Sequence, residues 1–174
     1  LLESLFAQLR GQLKPAVIEG DIASTIDADR IDALGIPVVQ INTDGACHLD
    51  ANMIAAALRD LELANVDLLL IENVGNLVCT AGFSLGEHLR IAALSVPEGD
   101  DKLAKYPAIF QGSDALVVTK TDLLPYIKFD MDRVVQDMRH LAPEAPVFQV
   151  AALKGDGMEA LSRWLAERRR TRKG

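Results

Sequence analysis

The chain has 174 residues, a net charge of −7, 49% hydrophobic and 25% charged residues, so it can bury roughly two thirds of its unfolded surface in one domain without covalent staples. The negative balance argues against nucleic-acid binding driven by phosphate neutralisation, and no stretch reaches the roughly 18 uninterrupted apolar residues of a membrane span. With no secretory leader visible, the expectation is a cytoplasmic protein whose two cysteines, Cys47 and Cys79, are reduced thiols or metal ligands, a bridge between them being the alternative.

In chain order the pattern predicts a helix over Leu1–Leu13, a strand over Pro15–Glu19, a helix over Thr25–Leu34, a strand over Pro37–Ile41 and a helix over Leu49–Leu61. Strands follow over Val66–Ile71 and Leu89–Val96, then a short helix Tyr106–Gln111, a strand Ala115–Thr119, a helix Met131–His140, a strand Pro146–Val150 and a last helix Gly157–Arg170. That last helix puts Met158, Leu161 and Leu165 on one stripe, with Trp164 beside it. The strands are short, nearly continuous apolar runs, which suits sheets covered on both faces. Strand alternating with helix implies a doubly wound, mainly parallel α/β sheet, and with no repeat or linker the whole of 1–174 reads as a single domain. An α/β nucleotide fold normally begins with the strand that delivers its phosphate loop, whereas this chain opens in a helix and contains no G-x-x-x-x-G-K-[ST]. The expectation is that the first strand and the phosphate loop precede Leu1, and that these 174 residues alone do not hydrolyse a nucleotide.

Four strand ends carry residues with chemistry. Thr119-Lys120-Thr121-Asp122 follows an apolar strand and matches the [NT]-K-x-D pattern, in which the Asp accepts from guanine N1–H and the exocyclic amine while the Lys stem lies over the base. Val150-Ala151-Ala152-Leu153-Lys154 stands where a second base-contacting loop would offer the N–H of Ala152 or Leu153 to guanine O6. Glu72-Asn73-Val74-Gly75 comes after the strongest strand, with Glu72 placed to hold Mg²⁺ through water and the Gly75 N–H placed to reach a γ-phosphate. Asp21, ending the first visible strand, is a further Mg²⁺-side carboxylate or else a helix cap, and the polar segment Ile22–Arg30 after it is of the kind that rearranges with phosphate.

Cys47, His48 and Cys79 also sit at strand ends, and their soft-to-borderline donors suit Ni²⁺ or Zn²⁺. Adjacent side chains in an extended segment diverge, and three donors fall short of a closed tetrahedral site, so a site shared by two copies is expected. The bland alternative makes Cys79 a small hydrophobe and His48 a cap for the Leu49–Leu61 helix. His88 and His140 read as surface or capping residues. The basic run Arg168-Arg169-Arg170-Thr171-Arg172-Lys173 reads as cations complementing a helix C-terminus, contact with RNA or an acidic partner being the alternative.

Taken together, Ala16–Asp21, Gln40–Thr43, Cys47-His48-Leu49-Asp50-Ala51, Ile71-Glu72-Asn73-Val74-Gly75-Asn76-Leu77-Val78-Cys79, Leu94–Val96, Glu98–Lys102, Lys105–Pro107 and Asp122–Tyr126 resemble the hydrogenase nickel-incorporation GTPases of the HypB family, SIMIBI-class P-loop GTPases. The resemblance implies GTP/GDP and Mg²⁺ as ligands, and a homodimer that assembles a Ni²⁺ or Zn²⁺ site from Cys47, His48 and Cys79. It further implies nickel delivery to a [NiFe]-hydrogenase large-subunit precursor with a partner chaperone. Thr119 stands where the family usually has Asn, Asp44-Gly45-Ala46 replaces a Gly-rich approach to the Cys-His pair, and Thr80-Ala81-Gly82 replaces a Pro-containing turn. Rival readings are the urease-type nickel GTPase chaperone, a non-catalytic metal-binding and dimerisation module, and a dinucleotide oxidoreductase, for which the chain offers no G-x-G-x-x-G after a strand.

Overall fold

A computed structural model describes residues 1–21 and 26–171. The predicted phosphate-sensing segment Ile22–Arg30 therefore lies partly outside the described residues, as do Arg172 and Lys173 of the basic run. The chain forms two compact units, Leu9–Gly86 and Leu1–Gln8 together with the chain from Glu87 onward. Each is built on a parallel three-stranded sheet, as expected of an α/β fold.

In the Leu9–Gly86 unit the strands are β1 (Pro15–Asp21), β2 (Val38–Asn42) and β3 (Leu68–Glu72), in the order β2-β1-β3. Central β1 is buried along its length, with Ala16, Val17 and Ile18 fully inaccessible, because neighbours and both faces cover it; the flanking strands are half-buried. Helix α1 (Leu2–Leu9), which precedes β1 in the chain, belongs to the other unit in all but its last residue, and α2 (Ile26–Asp32) and α3 (Ala51–Ala57) follow β1 and β2. Ile18, Leu49, Ile54 and Ala57 form the buried core, onto which Val39, Ile41, Met53, Leu69, Ile71 and Leu85 pack. The third predicted helix starts later than its apolar pattern, because Asp50 caps it by accepting from the N–H groups of Asn52 and Met53 at 2.8 and 2.9 Å. Such a cap contributes about 1 kcal/mol and leaves Leu49 outside the helix.

The other unit holds β4 (Ile91–Ser95), β5 (Ala115–Thr119) and β6 (Val147–Gln149) in the order β4-β5-β6, with β5 central and buried. Its helices are α4 (Lys102–Lys105), α5 (Pro107–Gln111), α6 (Met131–Leu141) and α7 (Met158–Thr171), of which α4 has no counterpart in the sequence pattern. The predicted stripe on α7 is confirmed: Met158, Leu161 and Leu165 are buried, and Trp164 packs on Phe148 at 5.6 Å between ring centroids. Arg168, Arg169 and Arg170 occupy the last turn of α7, where cations complement the helix dipole. Gly157, just before α7, has φ +73° and passes so close to the Gln149 carbonyl oxygen that a Cβ would lie 2.0 Å from it, so only glycine fits. Among the described residues no helix is long and apolar enough to cross a membrane.

Candidate functional site

Two loops of the Leu9–Gly86 unit leave the C-terminal ends of β2 and β3, the side of a parallel sheet on which α/β folds place their ligands. The loop after β2 turns tightly: Thr43 donates its hydroxyl to the Ala46 carbonyl at 2.7 Å, the Asp44 N–H donates to Asn42 Oδ1 at 3.0 Å, and Asp44 and Gly45 both take positive φ. The turn brings Cys47 Sγ to 3.7 Å from His48 Nδ1. This corrects the expectation that adjacent side chains diverge, because the chain bends here instead of running extended. His48 is not the helix cap, a role Asp50 fills; its ring stacks on Phe83 with centroids 3.8 Å apart and planes at 17°. Leu49 then dives into the core against Gly20, where a Cβ would stand 2.7 to 2.8 Å from the Leu49 side-chain carbons.

The loop after β3 is organised by two carboxamides. Asn73 Oδ1 accepts from its neighbour Val74 N–H and from Leu49 N–H of the other loop, both at 2.9 Å. Asn76 Oδ1 accepts from Val78 N–H at 2.8 Å and Cys79 N–H at 2.9 Å, and the Thr80 hydroxyl donates to the Asn76 carbonyl. Both cysteines are free thiols, half-buried, so there is no bridge. A hydrogen bond with Cys47, helped by partial burial, favours the protonated Cys79 thiol and pushes its pKa above the ordinary thiol range. Cys47 thus lies against both of its expected partners. Among the described residues no three His, Cys, Asp or Glu side chains are gathered into a ready metal cluster.

Between Asn73 and Asn76 sits Gly75, exposed, with open space where a side chain would be and an N–H that donates to no acceptor among the described residues. Glu72 ends β3 exposed, and Asp21 ends neighbouring β1 half-buried, its carbonyl accepting from Thr43 N–H at 3.0 Å. Glu19, buried on β1, is the register partner of Glu72, so two carboxylates share one face of the sheet.

In the other unit, Thr119 closes β5, and Lys120 adopts the left-handed conformation (φ 58°, ψ 38°), turning the chain into a 3-10 turn over Thr121–Leu123 that carries half-buried Asp122. The Thr121 N–H donates to the Val150 carbonyl at 3.2 Å, which ties this loop to the one after β6. There Ala151 bridges Asp156, the Ala152 carbonyl accepts from the Ser4 hydroxyl at 2.8 Å, and Leu153 is 99% exposed. The N–H groups of Ala152 and Leu153 donate to no acceptor among the described residues. The two expected base-reading loops are therefore brought together. His88 and His140 are exposed, His140 bonding to the Gln136 carbonyl of its own helix at 2.8 Å.

Sequence reading missed Asn73, Asn76, Phe83 and the Gly20–Leu49 contact. Asn76 had a local signal, since an Asn readily accepts from the N–H two residues on in an Asx turn, here Val78, which leaves its oxygen beside the N–H of Cys79 as well. The others had none, because their partners are far away in the chain.

Residues 1–149 match the family model described as CobW/HypB/UreG, nucleotide-binding domain. The chain is 48% identical over 166 residues to the hydrogenase maturation factor HypB of Azotobacter vinelandii, covering 95% of this chain and 55% of that protein. It is 40% identical over 159 residues to the probable hydrogenase maturation factor HypB of Methanocaldococcus jannaschii, covering 91% of this chain and 72% of that one. The crystal structure of HypB from Helicobacter pylori in complex with nickel superposes with a TM-score of 0.92 at 41% identity, over 98% of this chain and 80% of that one. The chain spans little more than half the length of the Azotobacter relative.

Proposed function

The chain belongs to the CobW/HypB/UreG nucleotide-binding family, and on that premise we propose that it is the metal-handling and base-reading part of a GTP-dependent nickel metallochaperone for [NiFe]-hydrogenase maturation. In this reading 1–174 works as one G domain. The observation that supports it is the loop from Glu72 to Cys79, which holds a carboxylate, a glycine whose N–H meets no acceptor among the described residues and a thiol within one short segment.

On the nucleotide side, Asp122 accepts from the two guanine donors that adenine lacks, Lys120 lies along the base, Thr119 supports the turn, and the Ala152 and Leu153 N–H groups meet O6. Asp21 and Glu72, at the C-terminal ends of adjacent strands, are the carboxylates that would hold Mg²⁺, and the Gly75 N–H would meet the γ-phosphate. Mg²⁺ supplies charge neutralisation of the phosphates when bound.

On the metal side, Cys47, His48 and Cys79 offer two thiolates and an imidazole to Ni²⁺, or to Zn²⁺ in its place, and a second copy of the chain supplies the remaining donors. Dimerisation on GTP binding assembles this site; hydrolysis releases the cargo toward the hydrogenase large-subunit precursor, with a partner chaperone. The coupling needs no long path, since Gly75 and Cys79 belong to one loop.

The test is metal analysis of the intact gene product carrying Cys79→Ala. Loss of bound Ni²⁺ or Zn²⁺ with unchanged preference for GTP over ATP is expected. Unchanged metal stoichiometry overturns the ligand assignment, and equal affinity for the two nucleotides overturns the base-reading one.

A further inference from the structure

We infer that Asn73 is a positioning residue that transmits the nucleotide state to the Cys47-His48 arm of the metal site, an inference that rests on the reading above. Gly75 is flanked by two asparagines with the same task and different targets. Asn76 holds the N–H of Cys79, within its own loop. Asn73 reaches across to the other loop and holds the N–H of Leu49, the residue directly after His48. Both arms of the metal site thus hang from carboxamides that bracket the glycine expected to meet phosphate.

The attachment at Leu49 is stiff, which makes it a lever and not a tether. The Leu49 side chain is fully buried against Gly20, with no room for even a methyl group, so the backbone of Leu49 cannot slide without disturbing the core. The same Asn73 oxygen also accepts from Val74, the residue before Gly75, at 2.9 Å. Drawing Gly75 toward a phosphate moves Val74 and with it the shared oxygen. The second bond of that oxygen, to the Leu49 N–H, then strains or breaks, and because Leu49 stays anchored in the core the change is taken up by the peptide joining it to His48, which re-aims His48 and Cys47. A merely structural Asn73 would set the affinity of the site; a transmitting one sets how much that affinity depends on nucleotide.

The experiment measures Ni²⁺ affinity of the intact gene product with GDP and with a non-hydrolysable GTP analogue, in wild type, Asn73→Ala and Asn73→Asp. In wild type the two affinities differ by about fivefold or more, the lower end of ordinary site-to-site coupling. Asn73→Ala collapses that ratio to about one, and Asn73→Asp, which keeps the acceptor oxygen, restores it. Should Asn73→Ala not fold, Asn73→Ser is read in its place, because its hydroxyl is too short to span to Leu49. Equal weakening in both nucleotide states, or an unchanged ratio, overturns the role of Asn73 and leaves the chaperone reading standing. A wild-type ratio of one overturns the nucleotide-coupled reading itself, and this inference with it.

Discussion

After β2 and β3 the loops are held largely by side chains: Asn42, Thr43, Asn73 and Asn76 supply most of the bonds, beside main-chain ones such as Ala46 N–H to Thr43 and Asn76 N–H to Val74, and Gly20 makes room for Leu49. After β5 and β6 the holding is done mostly by main chain: Thr121 N–H to Val150, Leu123 N–H to Lys120, Ala151 N–H to Asp156 and Lys154 N–H to Ala151. The contrast fits the two tasks proposed for these loops. A base is read by a fixed surface, and main-chain bonds hold a loop rigidly whatever side chains it carries. A site meant to change shape needs bonds that can be remade at low cost, and single side-chain hydrogen bonds contribute only about 1 kcal/mol each. Substitutions after β5 and β6 should therefore act through backbone geometry or a single recognition group, and those after β2 and β3 through a network.

The largest effect is expected at Gly157. Alanine there combines a positive φ with a Cβ 2.0 Å from a carbonyl oxygen, and the sum of strain and overlap is about 3–5 kcal/mol, read as a fall in unfolding free energy in urea. A stability within about 0.5 kcal/mol of wild type would break the claim that main-chain geometry holds this side.

Next comes Asp122→Ala. Losing charge-assisted bonds of about 1.5–3 kcal/mol should weaken GTP binding about 10- to 150-fold, with Ni²⁺ content untouched. A parallel loss of metal would show that the two sides are not separable.

Gly20→Ala, at about 1–3 kcal/mol, is the mirror test on the other side. The added methyl meets Leu49, so Ni²⁺ affinity should fall along with melting temperature, while GTP-over-ATP preference stays the same. Retained affinity would mean that Leu49 does not position the Cys-His pair.

Phe83→Leu is milder. Removing the ring beneath His48 forfeits about 0.5–1.5 kcal/mol of stacking, a change of about two- to tenfold in Ni²⁺ affinity by titration, and Phe83→Trp should recover it.

The smallest effect concerns protons. Because the Cys79 pKa is raised, chiefly by its hydrogen bond with Cys47, the thiol is protonated at neutral pH, and in the proposed site metal would have to displace that proton. Ni²⁺ affinity should climb as pH rises toward that pKa, and in Cys47→Ala the Cys79 thiolate, followed by its ultraviolet absorbance, should form at lower pH. The same sign holds for folding: the bond between the thiols stabilises the fold below the ordinary thiol range and is lost as pH climbs past the raised value. A Cys79 titration that ignores Cys47 would remove the contact between them.

The six strands among the described residues lie where the apolar runs put them, and the α7 stripe is buried as spaced, because period and burial are properties of neighbours in sequence. Two expectations drawn from local geometry needed correcting. Cys47 and His48 converge because a tight turn with positive φ at Asp44 and Gly45 re-aims them. The third helix begins at Ala51 because Asp50, two residues past His48, takes the cap. The α4 segment was illegible because its single buried residue, Leu103, shows no period.

What the amino-acid order determined alone is the α/β class, the strand ends and the short strings of chemistry-bearing residues placed on them. What only the tertiary structure decided is which of those strings touch: Leu49 against Gly20 and Asn73, His48 against Phe83, Cys79 against Cys47, Thr121 against Val150. Periodicity constrains a residue's face on its own strand or helix. A contact between loops depends on strand order and register, which the sequence expresses only once the sheet has formed.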